Sequence, residues 1–186
     1  MKILFIPFVP AELVLAAVWL LFAAVRLCRK KTDLRREAAL LLMYVNLAVI
    51  FRFTFFPMAT ESGHVQPLQL DTAEIIPFRI NLIPFVFLFD YSSGRDLLLN
   101  LIGNVALFIP GGILLPVLYQ RLNSFCKVTA AGAMLSLCIE FLQLPFSSRA
   151  SDIDDLILNT LGVMTGYCIY ALFARRSRKA ETGQKK

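Results

Sequence analysis

Five apolar runs, each long enough to cross a bilayer, constrain this chain more than any other feature. They fall at about residues 4–25, 38–57, 97–118, 128–146 and 155–174. A helical span needs roughly 20 successive apolar residues. Within the hydrocarbon, a lone segment satisfies its backbone N–H and C=O groups only as a helix. The runs therefore predict an all-α fold, a polytopic transmembrane helix bundle of about five spans. Apolar residues make up 58% of the sequence and charged ones 17%, more apolar surface than a soluble core of this size needs. The first run is too long for a signal peptide, lacks a small-x-small cleavage site and ends in a basic cluster, so it is read as a span.

The net charge of +6 is distributed as topology-setting charge, not as a nucleic-acid surface. Basic residues cluster at Arg26–Arg36 and again at Arg175–Lys186, each beside an apolar run. With five spans, fourteen Lys and Arg residues fall on the side that holds the Arg26–Arg36 loop and the C-terminal tail. Four fall on the other side, and Arg52 lies inside a span. The positive-inside bias then puts the N-terminus outside and the C-terminus in the cytoplasm. Residues 75–89 are apolar but short, and contain Pro77, Arg79, Asn81 and Pro84. If they crossed, the basic tail would lie outside. They are read as a re-entrant or interfacial segment in the long loop between spans two and three, the second outer segment counting the N-terminus. Cys28, Cys126, Cys138 and Cys168 show no CxxC spacing and predict neither disulfides nor a zinc site.

This threading gathers the polar side chains near the outer face. Asn100 and Asn104 share one face of span 3, and Ser136, Glu140 and Gln143 one face of span 4. Ser147, Ser148, Arg149, Asp152, Asp154 and Asp155 follow in an outer loop. Asp152, Asp155 and Asn159 recur at i, i+3 and i+7, Arg52 lies in the outer third of span 2, and Asn81 in the outer loop. An ionisable group in lipid needs a partner or water, so these residues predict a polar pocket opening outward, in which Arg52 pairs with Glu140.

Each element also has a structural reading. Asp152 and Asp154 suit the N-terminus of a helix. Asn100 and Asn104 suit contacts between helices, and Gly162 and Gly166 suit close helix approach. Pro110-Gly111-Gly112 suits a kink, and His64 a solvated loop. Glu12 fits the pocket or the interface equally. Glu140 has no evident helix-end role.

Four segments together resemble the VanZ-like family. Asn81-Leu82-Ile83-Pro84-Phe85 is similar to its N-x-x-P-F element. Asn100, Asn104, Phe108, Pro110 and Gly112 follow its N-x-x-x-N-x-x-x-F-x-P-x-G element. Ser136, Glu140 and Gln143 follow S-x-x-x-E-x-x-Q, and Arg149, Asp152, Asp155, Asn159 and Gly162 follow R-x-x-D-x-x-D-x-x-x-N-x-x-G. Gly111 stands where the family usually has a larger residue. The resemblance divides the chain into a first span with a basic cytoplasmic loop (1–36), a VanZ-like membrane domain (37–174) and a basic cytoplasmic tail (175–186), the tail being read as disordered. It implies a bacterial plasma-membrane protein, in a family whose founding member is associated with teicoplanin resistance.

Three functions stay open. The first is an envelope protein binding an envelope lipid or cell-wall precursor through Asn81, Asn100, Asn104, Glu140, Gln143, Arg149, Asp152, Asp155, Asn159 and Arg52. The second is a membrane enzyme acting on a lipid-linked or phosphorylated substrate, with Glu140 as general base and Mg²⁺ or Ca²⁺ held by Asp152, Asp154 and Asp155. The third is a small transporter or accessory subunit. All three share one topology. A reporter fused after Lys186 is expected to be active only as a cytoplasmic fusion. An alkaline phosphatase fusion active at that position would overturn the orientation.

Overall fold

A computed structural model describes residues 3–29, 33–56, 65–71, 80–86, 94–146 and 149–183. Its elements are β1 (Ile3–Ile6), α1 (Phe8–Arg29), α2 (Leu34–Phe55), β2 (Leu68–Asp71), β3 (Ile80–Asn81), α3 (Gly94–Leu118), α4 (Phe125–Gln143), β4 (Ser151–Asp152) and α5 (Ile153–Gly183). All five helices are long and apolar enough to cross a membrane. Many large apolar side chains face outward, among them Leu13, Leu21, Phe22, Leu42, Phe141 and Phe173, each 58–66% exposed. In water such a surface would be untenable, and against lipid tails it carries no penalty.

The helix ends follow local chemistry. Pro7 and Pro10 sit where α1 begins, where a missing N–H breaks no helical hydrogen bond. Asp33 caps α2, its carboxylate accepting from the Arg35 N–H at 3.1 Å. Arg26 of α1 and Glu37 of α2 pair at 3.0 Å. α4 ends at Gln143 rather than at residue 146, because Pro145 disfavours helix in the residue before it.

Two further features differ from the sequence reading. The first span begins at Phe8, because residues 3–6 form a strand pairing antiparallel with β2, Ile3 opposite Asp71 and Ile6 opposite Leu68. The tail is helical as far as Gly183. Its Ala, Arg, Lys and Glu residues are good helix formers, and no proline or glycine interrupts them before Gly183. As the span at 97–118 requires, α3 runs through Pro110 and Gly111-Gly112 without ending. Of the expected re-entrant segment, 80–86 form β3 and a turn, while 75–79 and 87–89 lie outside the described residues, as do His64, Ser147 and Ser148.

The chain divides into two compact units. The first comprises Met1–Phe85 and Leu137–Asp154, the second Val86–Ser136 and Asp155–Lys186. In the first, Ile50, Phe55, Phe56 and Leu68 are buried, Phe56 meeting Phe8 edge-on at 5.2 Å. β3 pairs in parallel with β4, Asn81 opposite Asp152. In the second, α3 and α5 approach through small residues. A Cβ on Gly162 would collide with the Val105 carbonyl, one on Gly166 with the Ile109 carbonyl, and one on Gly112 with the Val163 carbonyl. Phe108, Val128 and Val163 fill the space around this contact, each no more than 1% exposed.

Backbone cannot yield to a new methyl as a side-chain tip can. Gly162→Val is therefore expected to destabilise the protein by at least ~1–3 kcal/mol. Gly103→Ala, on α3 with nothing within 4 Å of the new Cβ, is expected to be neutral or stabilising by up to ~1 kcal/mol. Unfolding midpoints of the two variants in detergent check the contrast.

Candidate functional site

The polar residues of the first unit gather where α2 ends. The last carbonyls of a helix have no partner within it and carry the negative end of its dipole. Here three side chains meet them. Gln143 Nε2 donates to the Thr54 carbonyl at 2.6 Å, Arg149 Nε to the Phe55 carbonyl at 2.9 Å, and Arg52 Nη1 to the Phe56 carbonyl at 2.9 Å. The Arg52 guanidinium also lies over the rings of Phe8 and Phe53, at 5.1 and 5.5 Å from their centroids.

A second set of bonds holds the start of α5. Glu140, 5% exposed, accepts the Asp152 N–H on Oε2 at 2.9 Å. Asp152 is the residue before α5, and its Oδ1 accepts the Asp154 N–H at 3.0 Å, the geometry of an N-cap. The same oxygen accepts Asn81 Nδ2 at 3.1 Å, and Asn81 Oδ1 accepts the Ile83 N–H at 3.1 Å. The Asp154 carboxylate accepts the Phe85 N–H at 2.9 and 3.1 Å. Phe85 has φ 62°, a left-handed conformation costing a non-glycine residue roughly 1–2 kcal/mol. A hydrogen bond to a charged group contributes about 1.5–3 kcal/mol, enough to hold that turn.

Glu140 thus has the helix-end role that the sequence did not reveal, and it serves the next helix rather than its own. Sequence reading also missed the bond from Asp154 to Phe85. The signal for the turn was present, since Asn81 followed by Pro84 is turn chemistry. Its partner 69 residues away left no local trace.

In the second unit, Asn104 Nδ2 donates to Asp155 Oδ1 at 2.6 Å, and Asn159 Nδ2 to Ser136 Oγ at 2.9 Å. Ser136 and Asn159 are 0% and 1% exposed. Asn100 lies half-buried one turn before Asn104. The expected face of Asp152, Asp155 and Asn159 is not formed as read. Asp152 is the cap and not a helical residue, so helical spacing does not count from it, whereas Asp155 and Asn159 are one turn apart within α5.

The three acids of the expected metal set do not converge in this structure. Asp152, Asp154 and Asp155 take separate partners, and among the described residues no group of three or more acidic, histidine or cysteine side chains is placed to hold a cation. These residues do not fit a Mg²⁺ or Ca²⁺ site, which needs several converging oxygens.

A family model described as VanZ/LLP1 matches residues 39–174. Protein VanZ of Enterococcus faecium is 36% identical over 93 residues, 50% of this chain and 53% of that protein, so the chain spans about half the length of that relative. No solved structure matches.

The network predicts coupling between Asn81 and Asp152. Asp152→Ala is expected to cost ~0.5–2 kcal/mol through the lost cap alone. In a double-mutant cycle, Asn81→Ala and Asp152→Ala should show a coupling energy of at least ~0.5 kcal/mol. Additive losses in unfolding free energy would show that the bond between them contributes nothing.

Proposed function

Because the chain belongs to the VanZ/LLP1 family, we propose that this multi-pass membrane protein works in the bacterial envelope. Its polar cluster around Glu140, Gln143, Arg149, Asp152 and Asn81 receives the headgroup of an envelope lipid or a cell-wall precursor. Occupancy alters exposure of the cell surface and so susceptibility to glycopeptides such as teicoplanin, the trait associated with the family's founding member.

One observation carries this reading. Glu140 is a buried carboxylate in a helix long and apolar enough to span the membrane. Placing an acid there costs several kcal/mol unless it is held. It is held by backbone, within the same unit as Arg149 and Gln143. Gln143 Nε2 is committed to the Thr54 carbonyl, while Oε1 is buried with no hydrogen-bond partner among the described residues. That oxygen is an acceptor ready for a hydroxyl, amide or ammonium donor, all of them groups that wall precursors carry. The positive-inside bias supports an outward orientation for this end of the helices. The bond from Glu140 Oε2 to the Asp152 N–H favours binding over a role for Glu140 as general base.

Expression in a teicoplanin-susceptible Gram-positive host tests the reading. The unaltered chain is expected to raise the inhibitory concentration of teicoplanin. Glu140→Gln and Arg149→Ala are expected to remove the shift while membrane levels, followed by immunoblot, stay the same. A shift that survives both substitutions would remove the cluster from the function.

A further inference from the structure

A cleft of about 360 Å³ opens between α1 and α2, at the end of these helices where α1 begins. It is within the size range of small-molecule sites. Glu12 and Arg52 both line it, together with Phe8, Tyr44 and Phe53. Glu12 lies four residues inside α1 and Arg52 three residues before the end of α2. At 1.5 Å per residue, they stand about 6 and about 4.5 Å inside the helix ends. Each helix has 22 residues, about 33 Å, close to the roughly 30 Å hydrocarbon core, so both residues stand just inside the hydrocarbon edge, where a long side chain reaches the headgroups. The walls are open to the surroundings: Val45, Val49 and Phe53 are 47%, 37% and 47% exposed.

We propose that this cleft is a binding site for one ethanolamine phospholipid, its phosphate on Arg52 and its ammonium on Glu12. A cleft carrying one carboxylate and one guanidinium complements a zwitterion. The guanidinium is set in place by the rings of Phe8 and Phe53 and by the Phe56 carbonyl. Its fork of five N–H donors suits a phosphate. A carboxylate beside it discriminates among headgroups. An ethanolamine ammonium donates three N–H bonds, a choline headgroup donates none, and an anionic headgroup brings a negative charge toward Glu12. Tyr44 and Phe53 give the upper acyl chain an apolar wall. The family match begins at residue 39, so the Glu12 and Phe8 side of the cleft lies outside the matched region; Arg52 also bonds at the end of α2, but Glu140, Gln143 and Arg149 do not line the cleft.

The chain carries its own reporter. Trp19, the single tryptophan, stacks on Tyr44 with ring centroids 4.8 Å apart. The full chain is reconstituted in phosphatidylcholine bilayers containing acyl-brominated phosphatidylethanolamine, phosphatidylcholine or phosphatidylglycerol, and quenching of Trp19 is followed. Brominated phosphatidylethanolamine is expected to quench with a relative association constant about tenfold above that of phosphatidylcholine, the factor one charge-assisted hydrogen bond provides. Glu12→Gln is expected to bring ethanolamine down to the choline value, and Arg52→Gln to weaken binding of both. Equal quenching by all three lipids overturns the proposal, as does a preference for phosphatidylglycerol, which would make Arg52 an anion site acting alone. If the variants fail to insert, the comparison of headgroups on the unaltered chain decides.

Discussion

The end of α2 is where the demands of the bilayer are sharpest. Its last carbonyls have no helical partner, and away from water each orphaned acceptor costs several kcal/mol. Gln143, Arg149 and Arg52 supply the missing donors, and in doing so they fix other parts of the first unit. Gln143 ties the end of α4 to the end of α2, and Arg149 ties the following loop to the same place. The two arginines also put positive charge at the negative end of the helix dipole, where it is favoured. Residues that resemble ligand groups in the sequence therefore have a structural duty first. Such residues are well suited to binding as well, because side chains locked by hydrogen bonds lose little entropy when a ligand arrives.

The second unit solves the same problem differently. Its helices gain no hydrophobic drive from lipid, so they associate through close backbone approach and hydrogen bonds. Gly112, Gly162 and Gly166 provide the approach. The pairs Asn104–Asp155 and Ser136–Asn159 provide the bonds. The first unit is tied together at helix ends and turns; the second is built around small residues and amides.

What could be read from the sequence follows from what is local. Span positions were legible because the bilayer sets a length that each segment meets alone. Asp152 as a helix cap was legible as one of two readings, since Asp152 Oδ1 reaches only two residues along the chain. β1 was not legible: Ile3–Ile6 is as apolar as the helix after it, and its pairing partner lies more than 60 residues away. The family motifs marked Asn81, Glu140 and Arg149, yet their spacing says nothing of the Phe55 carbonyl or the Asp152 N–H that they meet. Asp154 and Asp155 show the limit well. Adjacent on a helix, they point about 100° apart, and each bonds within a different unit.

The depth of the charges bears on which function the architecture favours. Glu12, Arg52 and Glu140 each lie within five residues of a helix end, and so do Arg35, Arg36, Glu37, Arg95, Asp96, Lys127, Asp154 and Asp155. Between these positions the apolar stretches, in α5 as far as Ala174, carry amides and hydroxyls such as Asn46, Ser136 and Asn159 but no formal charge, and Arg175 and Arg176 follow the last of them. A carrier that moves ions or charged substrates generally places its site near the midplane, where repeats meet and helices break. Here α3 continues through its prolines, and the charges within the apolar helices lie near the helix ends. Charge held there can engage the polar part of an amphiphile while its tail stays in lipid. This arrangement supports recognition at the membrane surface over passage through it.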